Sequence, residues 1–222
     1  MILGVDATRI VVAVAFLTVW RLWRATGFLT PPTWRRLAPA LPLLLLPAIP
    51  AVFGPGVASQ PGWEVAVIAF GVATVAFGEE AVFRGVVLRV LLSRGLRTAV
   101  FGSAALFGLM HIMNAFLGSD PITATAQVIM TFGIGIGFAA VALATGTIWP
   151  LLVIHFFMNF TNSIQGATPG EVTTAATADL LLNGGINVAL GAIAAAYGCW
   201  LLRKRTGLIR ELSNPRLITG GS

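Results

Sequence analysis

Charge is what this sequence has least of. Its 222 residues include eight Asp and Glu, fourteen Lys and Arg, and two His. Charged residues make up 10% of the chain, against about a quarter in soluble domains. A water-exposed domain of this length must cover its surface with polar groups, and there are too few. A soluble enzyme and a disordered chain are both excluded. The 57% hydrophobic content and mean hydropathy of +0.89 indicate a polytopic membrane protein. Cysteine occurs once, at Cys199, which rules out an internal disulfide and a multi-cysteine metal site. An HExxH zinc motif, a GxSxG elbow and a phosphate-binding loop are also missing. Gly133, Gly135 and Gly137 leave GxGxxG incomplete. Gly133 and Gly137, followed by Ala140 and Ala144, read instead as a small-residue face for close helix packing.

What is present is a series of apolar runs. A spanning helix needs about 20 largely apolar residues, and such runs cover 5–24, 37–57, 64–93, 97–117, 122–145, 147–165 and 180–202. The expected fold is all-α: a polytopic transmembrane helix bundle of about seven spans, with six to eight as the range, in one membrane domain. The first run lacks the basic leader and small-residue cleavage site of a signal peptide and is retained as a span. Pro39, Pro42, Pro47 and Pro50 should kink or break the second, because each removes a backbone donor. The third exceeds a simple span and is expected to continue beyond the membrane as an amphipathic extension.

Bases cluster at 21–36, at 84–97 and at 203–216, whereas Asp6, Glu64, Asp120, Glu171 and Asp179 occupy the alternate segments. Seven spans put thirteen of the fourteen bases on one side and only Arg9 on the other. The positive-inside rule then predicts N-out and C-in. Topology thus accounts for the +6 net charge, and no nucleic-acid partner is expected. The preference for Arg over Lys and the abundance of Ala point to a GC-rich prokaryotic genome, and so to a prokaryotic cell membrane.

Against this background a few polar residues stand out. Glu79 and Glu80 lie in the third run with Arg84 behind them, His111 lies in the fourth, and His155 and Asn159 lie four residues apart in the sixth. A central ionisable residue costs about 2.5–3.5 kcal/mol on insertion scales, so several together imply a shared polar cavity. Counting about 1.5 Å per residue puts Glu79, His111 and His155 roughly 14–22 Å from a span end, near mid-membrane depth. Glu80 and Arg84 have the favourable i, i+4 order for an ion pair. Glu79 is about 100° round the helix, which leaves its carboxylate available for chemistry. The bland alternatives are a helix-junction ion pair and interhelical hydrogen bonding by the histidines.

Glu79-Glu80-Ala-Val-Phe-Arg84 matches EExxxR, Phe107-Gly-Leu-Met-His111 matches FxxxH, and His155-Phe-Phe-Met-Asn159 matches HxxxN. In that order they resemble the signatures of the CPBP family, the CAAX-protease and bacteriocin-processing intramembrane proteases. Thr145-Gly-Thr-Ile-Trp-Pro-Leu151 is similar to the family's approach to its last motif. The resemblance covers residues 64–165, which it marks as the catalytic core. It implies an intramembrane endopeptidase acting on a membrane-associated protein or peptide. In that scheme Glu79 activates water with help from His111, and His155 and Asn159 stabilise the oxyanion. Glu80 and Arg84 support the site. The Glu–His–His set could hold zinc, but without paired-His spacing a glutamate-dependent, cofactor-free mechanism is favoured. A non-catalytic immunity or adaptor protein and a proton-coupled transporter are the alternatives, and the transporter lacks the internal repeats it would require.

Overall fold

A computed structural model describes residues 2–31, 33–54, 56–57, 59, 61–165 and 177–204. Outside the described part lie Glu171, the basic tail from Arg205 onward, and the side chains of Asp6, Arg9 and Arg35, all of which bear on the expected orientation. Among the described residues the regular structure is helical, with one isolated antiparallel bridge between Val57 and Gln165. The main helices are α1 (Ile2–Val19), α2 (Leu45–Phe53), α3 (Gly62–Leu92), α4 (Leu96–Met110), α5 (Pro121–Thr145), α6 (Trp149–Ile164) and α7 (Thr177–Lys204). Among the described residues four stretches are long and apolar enough to cross a membrane: Gly62–Leu92, Leu96–Phe116, Pro121–Thr145 and Thr177–Lys204. Shorter apolar helices cover Ile10–Val19 and Ala38–Phe53. The protein is therefore an all-α, multi-pass integral membrane protein.

Local chemistry explains the helix boundaries. The second apolar run breaks as its prolines require: Ala38–Leu44 is a 3₁₀ helix containing Pro42, and α2 follows with Pro50 inside it. The third run is one helix of 31 residues, but Ala81–Val87 is wound as a π-helix. The start of α5 is capped by Asp120, whose Oδ1 accepts from the Thr123 backbone N–H at 2.8 Å, with Pro121 in the first turn. Hydrogen bonds from the Thr123 side chain and backbone hold the half-buried Asp120 carboxyl below the usual carboxylate range. Gly146, at φ 70°, ends the same helix in the left-handed conformation that glycine adopts without strain.

The chain forms two compact units. The first comprises Met1–Gly85 and Thr147–Thr173. Its core gathers Leu17, Phe28, Ala81 and Ile148, with Phe77, Trp23 and Leu152 packed around them. The connection after α1 is tied to the start of α6: Trp149 Nε1 donates to the Phe28 carbonyl at 2.9 Å, and Thr147 Oγ1 donates to the Gly27 carbonyl at 3.2 Å. At Gly85 a Cβ would lie 2.9 Å from Thr26 Cγ2, so this connection also presses on the π-helical turn of α3.

The second unit comprises Val86–Gly146 and Thr174–Ser222 and is built round α5. Lipid tails are as apolar as leucine, so helices here gain by close backbone approach and dispersion. A Cβ on Gly133 would strike the Gly191 carbonyl, and one on Gly137 would lie 2.8 Å from the Ala194 carbonyl oxygen. Gly135 faces α4 instead, where a Cβ would lie 2.9 Å from Ala104 Cα. The expected small-residue face is thus a contact surface at Gly133 and Gly137. Gly133→Val should lower the thermal midpoint in detergent by an overpacking cost of about 1–3 kcal/mol or more. Gly185→Ala, where a Cβ meets nothing within 4 Å, should leave the midpoint unchanged or raise it, by up to about 0.5–1 kcal/mol. Equal midpoints for the two variants would show that α5 and α7 do not depend on this approach.

Candidate active site

The first unit brings four of the sequence-marked residues together. Glu79 and Glu80 close the α-helical part of α3, Arg84 lies in the π-helical turn that follows, and His155 lies in the middle of α6. A π turn widens the helix and is frequent at functional sites. Here it begins one residue after the acid pair.

One carboxylate oxygen organises the cluster. Glu80 Oε1 accepts from Arg84 Nη1 at 3.0 Å and from His155 Nδ1 at 2.8 Å. All three residues are buried: Glu80 is 0% exposed, Arg84 1% and His155 6%. A buried carboxylate requires such partners, because an unpaired charge in an apolar interior is far costlier than a paired one. The expected i, i+4 pair is present, but half of the arrangement was not visible in the sequence. Glu80 and His155 are 75 residues apart, and no spacing rule links them.

Glu79 is disposed differently. Its side chain keeps 22% of its surface exposed, and Oε2 lies 3.7 Å from His155 Nε2. That separation is beyond hydrogen-bonding range. Oε2 accepts no hydrogen bond among the described residues. With Nδ1–H donated to Glu80, Nε2 is the ring nitrogen turned to the side of Glu79. Asn159 follows one turn later on α6, half-buried, and its side-chain amide makes no hydrogen bond among the described residues.

His111 belongs to the second unit. The sequence count placed it near mid-span, whereas α4 ends at Met110 and His111 is its C-cap, five residues before the end of the Leu96–Phe116 stretch. This local break accounts for the FxxxH spacing. The His111 backbone N–H turns to the Gly108 carbonyl at 3.0 Å, and the Phe107 carbonyl accepts from His111 Nδ1 at 2.9 Å. The Phe107 ring packs edge-on to the imidazole at 5.0 Å between centroids. Three residues further on, Asn114 Nδ2 donates to Gln127 Oε1 at 2.8 Å, a polar pair that sequence reading passed over although both residues interrupt apolar runs. Among the described residues no three His, Cys, Asp or Glu side chains converge as a metal-binding group. Glu79 and His155 supply two facing donor atoms, short of the three protein ligands of a catalytic zinc.

Fold and cluster together define a class: a multi-pass helical membrane protein with a buried carboxylate–imidazole site. Residues 61–161 match the family model described as type II CAAX prenyl endopeptidase Rce1-like. This segment carries all three motifs, and its likeness to Rce1-like domains supports a CAAX-type intramembrane protease. No curated protein and no solved structure matches the chain.

The burial of Glu80 sets the consequence of removing its cation. Arg84→Ala should cost about 3–5 kcal/mol, because one member of a buried pair is left uncompensated. Thermal unfolding in detergent measures this, and an unchanged midpoint with lost activity would assign Arg84 to the chemistry instead.

Proposed function

We propose that the protein hydrolyses a peptide bond with water activated by Glu79, and that residues 64–165 form the catalytic core of one membrane domain. The observation that carries the reading is the contrast between neighbouring carboxylates. Glu80 is fully buried with Oε1 held by Arg84 and His155, while Glu79 keeps 22% of its side chain exposed and turns Oε2 toward His155 Nε2 at 3.7 Å. A general base needs an available lone pair within reach of water, and the partly exposed Glu79 carboxylate offers one. Asn159 supplies an uncommitted amide donor on the helix that carries His155, suited to an oxyanion. His111 stands in the catalytic set on its FxxxH motif, with Nδ1 committed to Phe107. No step is routed through a metal. The reading retains seven spans, N-out and C-in, in a prokaryotic cell membrane, on the distribution of bases and the preference for Arg.

Glu79→Gln should lower turnover about 100- to 10,000-fold with folding and insertion intact. Near-wild-type cleavage by the monodisperse variant would sink the assignment. Asn159→Ala should lower kcat about 100- to 1,000-fold with little change in KM, since an oxyanion donor acts mainly in the transition state. A KM effect alone would make Asn159 a binding residue. Activity should persist after exhaustive chelation, and a stoichiometric zinc required for turnover would replace this mechanism with a metal-dependent one.

A further inference from the structure

Close approaches at glycine fix how the helices of the second unit run. Gly108 of α4 meets Val128 and Phe132 of α5, and Gly135 of α5 meets Ala104, so α4 and α5 are antiparallel. Gly184, Gly191 and Gly198 of α7 meet Ala126, Met130 and Gly137 in ascending order, so α5 and α7 are parallel. The turn from α3 to α4 therefore shares one end of the unit with Thr145 and Lys204, and the starts of α5 and α7 share the other. Charge divides in the same way. Arg94 and Arg97 lie exposed at the turn, and Arg203 and Lys204 occupy the last turn of α7. Asp120 and Asp179, the described acids of this unit, lie at the opposite end, about 37 Å away along the 25 residues of α5.

Arg89 adjoins this basic end without a counter-ion. It is half-buried and lies three residues before Leu92, where α3 ends. Its Nε is buried with no acceptor, and its guanidinium makes no ion pair or hydrogen bond among the described residues. No Asp or Glu occurs between Ala81 and Ser119. An arginine in a membrane helix is costly without an anion, and its long stem lets the charged head reach the interface. Three residues span about 4.5 Å of helix axis, within that reach. Trp200, half exposed and with Lys204 Nζ 5.1 Å above its ring, marks the interface at the same end. The anion that an interface offers is the phosphodiester of a lipid headgroup. We propose that Arg89 binds the phosphate of an anionic phospholipid at this end of the second unit, and that Arg94 and Arg97 supply the charge that favours anionic over zwitterionic headgroups. Guanidinium suits the task, because its planar fork gives two parallel bonds to phosphate oxygens.

The probes are phosphatidylglycerol and phosphatidylcholine with the same acyl chains, titrated into the delipidated full-length protein in a nonionic detergent. Binding is read as the saturable rise in thermal midpoint. Phosphatidylglycerol should bind about tenfold or more tightly than phosphatidylcholine. Arg89→Gln should weaken phosphatidylglycerol binding about 10- to 100-fold, the loss of a charge-assisted pair. Arg94→Gln and Arg97→Gln should each cost about fivefold or less, as exposed bases near a membrane surface do. Arg24→Gln removes the same charge from the first unit and should bind as wild type does. Wild-type affinity in Arg89→Gln overturns the proposal. So do small, equal losses at Arg89, Arg94 and Arg97, which would describe a diffuse basic rim with no built site. Arg89→Lys keeps the charge and loses the fork, and should still weaken binding about three- to tenfold. Wild-type binding by that variant overturns the proposal even where Arg89→Gln does not fold. In the unmodified protein, equal affinity for the two lipids overturns it as well. An equal rise with inorganic phosphate alone does the same, because the ligand would then be a free ion.

Discussion

The site depends on a single carboxylate oxygen with two donors. Glu80 is fully buried in an apolar bundle, where an isolated carboxylate would be prohibitively costly. Arg84, one turn away on α3, supplies the opposing charge, and His155 from α6 supplies the second hydrogen bond. Each contact limits the others. If α6 rotated, Nδ1 would leave Glu80, and if Arg84 were absent Glu80 would no longer be a stable anchor for the ring. Charge compensation and helix register are therefore the same constraint in this unit.

The surrounding packing serves that constraint. The connection after α1 presses against Gly85 at the π turn and accepts hydrogen bonds from Thr147 and Trp149 at the entry to α6. Both helices that supply the cluster are thus braced by one segment, with Phe28 between them in the core. This gives a physical content to the run from Thr145 to Leu151. Gly146 stops α5, the side chains of Thr147 and Trp149 bind backbone carbonyls, and Ile148 and Leu151 are fully buried.

Adjacent residues can have opposite fates on a helix, and Glu79 and Glu80 illustrate why. A separation of about 100° turns one carboxylate toward Arg84 and leaves the other partly exposed. The paired group anchors the His155 ring, and its neighbour keeps 22% of its side chain exposed. The two histidines share a comparable division within their rings. His155 commits Nδ1 to a carboxylate and His111 commits Nδ1 to a main-chain carbonyl, so in the neutral forms both leave Nε2 as the acceptor.

Composition alone determined that the chain lives in a membrane and is helical, because so little charge cannot solvate a soluble domain and only internal hydrogen bonding satisfies a backbone in lipid. The apolar runs located the helices to within a few residues. Proline chemistry foretold the broken second run, and i, i+4 spacing foretold the Glu80–Arg84 pair, since both are local effects. The motifs marked the polar residues worth attention. Sequence spacing held no sign of the π turn after Glu80, of α4 ending at Met110, or of Phe107 holding the His111 ring. Least legible of all was the bond from Glu80 to His155, which decides the direction in which the imidazole faces. Such contacts arise only when segments distant in the chain pack side by side, and a periodicity confined to one helix carries no record of which neighbour it meets.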